Sequence, residues 1–65
     1  MTDARVREAA EAYSSGDLAR ARRMIRQVLE DRDRDPLPWR ILGVIDAAGG
    51  DLVSARKALV RSLEL

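Results

Sequence analysis

Seven residues in the first half of this chain return 34 places later: Gly16, Asp17, Leu18, Ala21, Arg22, Leu29 and Glu30 recur as Gly50, Asp51, Leu52, Ala55, Arg56, Leu63 and Glu64. A fixed period of this size is the mark of stacked helical hairpins, in which each unit is too small to bury its apolar side alone and buries it against the next. The two copies are unequal. The stretch from Trp39 to Leu63 holds Trp39, Leu42 and Gly43, a break at Gly49, Gly50 and Asp51, and then Ala55 and Leu59. The positions 34 residues before Trp39, Leu42 and Gly43 are Arg5, Glu8 and Ala9. The second hairpin is therefore expected to carry most of the core.

Capping and breaking residues divide the chain into four expected helices. The first is predicted from Asp3 to about Tyr13, through good helix formers, with Thr2 or Asp3 as its N-cap. It has little to bury: Val6, Ala9, Ala10, Ala12 and Tyr13. Ser14, Ser15 and Gly16 break it, Gly16 being placed for the left-handed conformation that ends a helix. Asp17 caps a second helix, from Leu18 to about Arg32. At about 100° per residue, Leu18, Ala21, Met24, Ile25, Val28 and Leu29 share one arc, and Arg20, Arg22, Arg23, Arg26 and Glu30 take the solvent side.

After the connector Asp33-Arg34-Asp35, Asp35 as cap with Pro36 in the first turn starts a third helix, because proline lacks an N–H that would have no partner there. This helix runs to about Ala48. Leu37, Trp39, Ile41, Leu42, Val44, Ile45, Ala47 and Ala48 make it apolar on most sides, with Arg40 and Asp46 as its clearly polar residues, so it is expected to lie between its neighbours. Gly49 and Gly50 end it and Asp51 caps the fourth helix, whose inner stripe is expected to be Leu52, Ala55, Leu59, Ser62 and Leu63. Val53 and Val60 lie on another part of its surface, where the second helix has Ala19 and Arg26. Repeat arrays normally close with a polar capping helix. None follows the fourth helix in this sequence, so that helix is expected to offer its apolar strip to a partner.

A chain of 65 residues is of the size that buries only about 60% of its unfolded surface and is marginal alone. There is no cysteine and no histidine, which removes disulfides, thiolate metal sites and the commonest catalytic bases and nucleophiles. Apolar runs of a few residues exclude a membrane-spanning helix, and the N-terminus lacks the apolar segment of a signal peptide, so a cytoplasmic location is expected. A net charge of +1, from 12 basic and 11 acidic side chains, provides no bulk field for nucleic acid or membrane. All but one of the basic residues are arginine, which suggests a GC-rich, bacterial genome.

The local patterns with a chemical reading favour bland explanations. Asp31, Asp33 and Asp35 open like a calcium loop, but its sixth place is Pro36 instead of glycine and its twelfth is Leu42 instead of glutamate, and the interleaved arginines would oppose a cation. The segment is read as a solvated connector. Arg20, Arg22, Arg23 and Arg26 could meet phosphates, but they spread over the natural solvent side of their helix, and Tyr13 is the only aromatic besides Trp39 available to stack on a base. Ser14 and Ser15 lack an activating partner, and no carboxylate has apolar flanks that would raise its pKa. No catalytic, cofactor-binding or metal-binding residue is expected. Gly43, Ala21 and Ala55 are read as packing residues that let helices approach, and Trp39 as a core anchor.

Trp39, Leu42, Gly43, Gly50, Ala55 and Leu59, with Gly16, Ala21 and Ile25 upstream, resemble the hallmark positions of the tetratricopeptide repeat (TPR). The resemblance covers about Asp3 to Leu63. It departs from the family at Asp46, where an aromatic is usual, at Ser62, where a small residue is usual, and at Asp33, where the terminal proline would fall. It implies an all-α fold: two antiparallel helix-turn-helix hairpins, four helices in all, stacked as a short TPR-like α-solenoid, with repeat 1 over about 2–35 and repeat 2 over about 36–65. It also implies a concave groove lined by the first helix of each hairpin, here Val6, Ala10, Tyr13, Leu37, Arg40, Val44 and Ala47. The Lys and Asn of carboxylate-clamp members are replaced by Val6, Ala10 and Ile41, so capture of a free peptide C-terminus is not expected.

The reading that results is a non-enzymatic protein-interaction module for an apolar or helical segment of a partner, which could be a second copy of the chain joined through Val53, Val60, Leu63 and Leu65. The alternatives are a small nucleic-acid-associated regulator using the second-helix arginines, and a fragment or engineered array without independent function.

Overall fold

Aspartate opens every helix. The structure, a computed structural model, describes residues 3–65; among them lie α1 (Ala4–Ser14), α2 (Leu18–Asp31), α3 (Pro36–Ala48) and α4 (Leu52–Glu64), with no strand. The orphan N–H groups of the first turns are met by carboxylates: Arg5 N–H donates to Asp3 at 2.9 Å, Arg20 N–H to Asp17 at 3.2 Å, Leu37 N–H to Asp35 at 3.0 Å and Ser54 N–H to Asp51 at 3.0 Å. A negative side chain there also opposes the positive end of the helix dipole. Of the two expected caps for the first helix Asp3 is the one that acts; Thr2 lies outside the described residues.

The two tight turns are copies of each other. Gly16 N–H donates to the Tyr13 carbonyl at 3.0 Å and Asp17 N–H to Ala12 at 2.9 Å; 34 residues on, Gly50 N–H donates to Ala47 at 3.1 Å and Asp51 N–H to Asp46 at 2.9 Å. This pairing needs a left-handed residue, and Gly16 and Gly50 supply it with φ of +87° and +86°. Asp17 and Asp51 each close one helix with the backbone and open the next with the side chain. The chain therefore reverses within three residues.

Each helix packs on the one before it, giving an all-α stack of two hairpins, α1/α2 and α3/α4, joined across the α2/α3 seam. The stack is a slab of 30 × 30 × 15 Å. Its core does not lie mainly in the second hairpin, as expected. The largest fully buried apolar side chains are Ile25 and Val28 of α2 and Ile45 of α3, whereas α1 and α4 bury only alanines: Ala9 and Ala12, and Ala55 and Ala58. Small residues draw the outer helices close to the inner two, and the bulky residues fill the inner pair and the space beside it.

Gly43 behaves as expected. A Cβ at that position would stand 2.7 Å from Leu59 Cγ and 3.2 Å from the Ala55 carbonyl, so α4 approaches α3 as closely as it does because Gly43 has no side chain. Trp39 is a rim residue rather than a central anchor: it is half-buried against the core, and its indole N–H donates to the Asp33 carbonyl at 2.6 Å, tying the connector to α3. The inward side of α4 also differs from the expected stripe. Ala55 and Ala58 are buried and Ser54 and Ser62 half-buried, while Leu52 and Leu63 are 69% and 86% exposed. Among the described residues no helix is long and apolar enough to cross a membrane.

Candidate functional site

The most buried charge among the described residues is Asp46. Read from sequence as a polar face of the third helix, it is only 1% exposed. Its partner is Arg22 of α2, whose Nε and Nη2 approach Oδ1 at 2.8 and 2.7 Å. Arg22 Nη2 also lies 3.8 Å from Asp51. Arg22 therefore leaves the solvent-facing basic strip in which its helical angle placed it, and binds the first hairpin to the second. A buried carboxylate is tolerated because its partner is charged and hydrogen-bonded to it. Hydrogen bonds from Ser54, chiefly its backbone N–H, hold the Asp51 carboxyl below its usual range, and Arg22 adds to this.

A second ion-pair group ties the far ends of the first hairpin. Arg5 bonds Asp3 at 3.0 Å and Asp31 at 2.9 Å, and Arg32 lies 3.8 Å from Asp3. The Arg5 guanidinium keeps Asp3 below the ordinary carboxylate range, and Asp3 and Asp31 together raise Arg5. Each aspartate of the connector thus has a structural partner: the Asp31 carboxylate on Arg5, the Asp33 backbone carbonyl on Trp39 and Asp35 as a cap. The Ser15 hydroxyl donates to the Ala12 carbonyl at 2.9 Å, a helix-end contact.

Between α1 and α3 lies an open depression of about 380 Å³ lined by Ala10, Tyr13, Leu37, Arg40, Ile41, Val44 and Ile45. The structure brings together five of the seven groove residues expected from sequence. Val6, half-buried, and Ala47, exposed, are not among its walls, and Ile41 and Ile45 form its floor instead. The difference lies along the helix axes, not around them. Val6 lies a turn beyond Ala10, and Ala47 sits one turn past the last wall residue, Val44. Tyr13, Leu37 and Val44 are 38%, 48% and 44% exposed, and Arg40 is the one charged residue in the lining.

The second apolar surface is on α4. Val53 and Val60 are exposed as expected, in a broad concavity shared with Leu52, Arg56, Lys57, Arg61 and Glu64. Leu63 and Leu65 are exposed as well but lie outside that concavity. The missed residue here is Arg56, a member of the repeat that gave no separate signal in sequence. Comparison of the chain with models of known families, with curated proteins and with solved structures returned no match.

Proposed function

We propose that this chain is a non-enzymatic, TPR-like interaction module that takes an apolar segment of a partner protein into the α1/α3 groove. The observation that carries the reading is the groove itself: Tyr13, Leu37 and Val44 leave apolar carbon in water around a single cation, Arg40. Their burial against a partner would be favourable by roughly 25 cal/mol per Å² of apolar surface before the cost of association. Arg40 favours an occupant that sets a carboxylate beside its apolar side chains. The depression is open rather than enclosing, which suits side chains projecting from a larger partner. The nucleic-acid alternative loses support with Arg22, which is engaged by Asp46.

The test is selection from a displayed library of helical peptides, followed by mapping of the selected peptides on the labelled chain by NMR. Amides around Tyr13, Leu37 and Val44 should move, and Val44→Glu should weaken binding at least tenfold with the circular dichroism spectrum unchanged. Peptides that map elsewhere, or that bind Val44→Glu equally well, would overturn the assignment.

A further inference from the structure

The repeat makes α4 a second copy of α2, and α2 shows what such a surface holds. At about 100° per residue, Leu59, Leu52, Leu63, Val60 and Val53 lie side by side over roughly 120° of α4, with Arg56 in their midst. On α2 the same places belong to Ile25, Leu18, Leu29, Arg26 and Ala19, around Arg22. There α3 covers part of the arc: Ile25 and Leu29 are buried, Ile45 and Gly49 lie beside Leu18 and Arg22, Leu42 lies beside Leu29, and Asp46 binds Arg22 at 2.7 Å, while Ala19 and Arg26 at the far edge stay exposed. On α4 only Leu59, at the edge of the arc, meets α3, at Gly43; the rest is uncovered among the described residues. Leu29 is 9% exposed but its counterpart Leu63 is 86% exposed, and Arg56 has no ion-pair partner among the described residues. The arc on α4 is also the more apolar of the two, since Val53 and Val60 replace Ala19 and Arg26.

We infer that α4 is a docking socket for a helix of the α3 pattern, two apolar residues three apart followed directly by a carboxylate, with Arg56 receiving that carboxylate as Arg22 receives Asp46. The occupant is a helix of another protein rather than a second copy of this chain. In a copy stacked in the same register, α1 would stand where α3 stands, and Glu8 and Glu11 occupy the places of Leu42 and Ile45. Those carboxylates would be pressed against Leu63 and Leu52, at the cost of desolvating them without partners. The basic residues Lys57 and Arg61 beside the arc further favour a partner helix with acidic flanks. This surface is separate from the α1/α3 groove, and loss of either leaves the other intact.

The probe is a synthetic peptide copying residues 33–50, titrated into the isotope-labelled chain. Chemical-shift changes should concentrate on the amides of α4. Arg56→Glu, an exposed position whose change leaves the helical content unaltered, should weaken binding at least tenfold, as should Asp→Asn in the peptide at the place of Asp46. An Arg56→Asp chain paired with a peptide carrying arginine at that place should regain binding. Absence of shifts, shifts confined to α2 through displacement of the chain's own α3, shifts in the α1/α3 groove, or indifference to Arg56→Glu would each overturn the inference. So would sedimentation showing that the chain covers α4 by self-association that Arg56→Glu does not alter.

Discussion

Asp46 stands where an otherwise apolar helix would have placed another hydrophobe, and its charge is kept by one guanidinium. Removing Arg22 leaves a carboxylate that is 1% exposed with its main partner gone. Arg22→Ala should lower stability by about 3 kcal/mol in urea unfolding, water at the half-exposed edge limiting the loss. Joint replacement by apolar residues, Arg22→Met with Asp46→Leu, should recover most of it, because a buried pair contributes little beyond the cost of burying it. Gly43 is decisive in the opposite sense, through absence of a side chain. Gly43→Ala gains about 1 kcal/mol of helix propensity but sets a methyl 2.7 Å from Leu59 Cγ and 3.2 Å from a backbone oxygen. Leu59 can turn outward; the Ala55 carbonyl moves only with α4. The variant should be less stable than the parent by about 1 kcal/mol, overpacking outweighing propensity. The importance of Gly43 was legible from its spacing to Trp39 and Leu42. The burial of Asp46 was not, since helical angle alone cannot tell a polar residue facing solvent from one facing an arginine on a neighbouring helix.

At the scale of the element, the helices are defined by their ends. Gly16→Ala and Gly50→Ala force a side chain into a left-handed backbone with φ near +87°, and each should cost about 1–2 kcal/mol. The packed surfaces should not change, because a methyl added at either glycine would meet no neighbour within 4 Å. The caps confer a pH dependence. Asp3 and Asp51 have carboxyls depressed below 3.8 in the folded chain, so the stability they give is present at neutral pH and is lost as the pH falls below about 4 through their folded values. Asp51→Asn, which keeps the acceptor for the Ser54 N–H, should flatten part of that acid limb in a pH series of thermal melts. Helix positions and caps were readable because glycine, proline and aspartate act through the local backbone. The facing of α4 was not. Its sequence supports two arcs, one of alanine and serine and one of leucine and valine. Hydropathy alone favours the leucine arc as the inner one, whereas the close approach permitted by Gly43 selects the smaller residues.

At the scale of the whole molecule, a slab 15 Å thick has no deep interior, and its bulkiest buried apolar side chains, Ile25, Val28 and Ile45, all sit on the inner pair α2 and α3. α1 packs chiefly on α2, buries only Ala9 and Ala12 and is tied at its start by Arg5. Its amides should therefore exchange with solvent before those of α2 and α3, and Arg5→Ala should widen the gap, as read by hydrogen exchange. Of the expected groove, Ala10, Tyr13, Leu37, Arg40 and Val44 line the depression, and they were legible because they fall at the positions that the tetratricopeptide resemblance assigns to a groove. Ile41 and Ile45 were missed as floor because that role depends on the distance between α1 and α3. The same division runs through the molecule. The amino-acid sequence by itself determined the 34-residue period, the four helices, their aspartate caps and the two glycine turns, all of them consequences of local backbone chemistry and periodicity. Tertiary structure alone decided that Arg22 meets Asp46, that α4 turns its alanines inward, and that the leucines and valines around Arg56 remain in water, because these depend on which helix stands opposite.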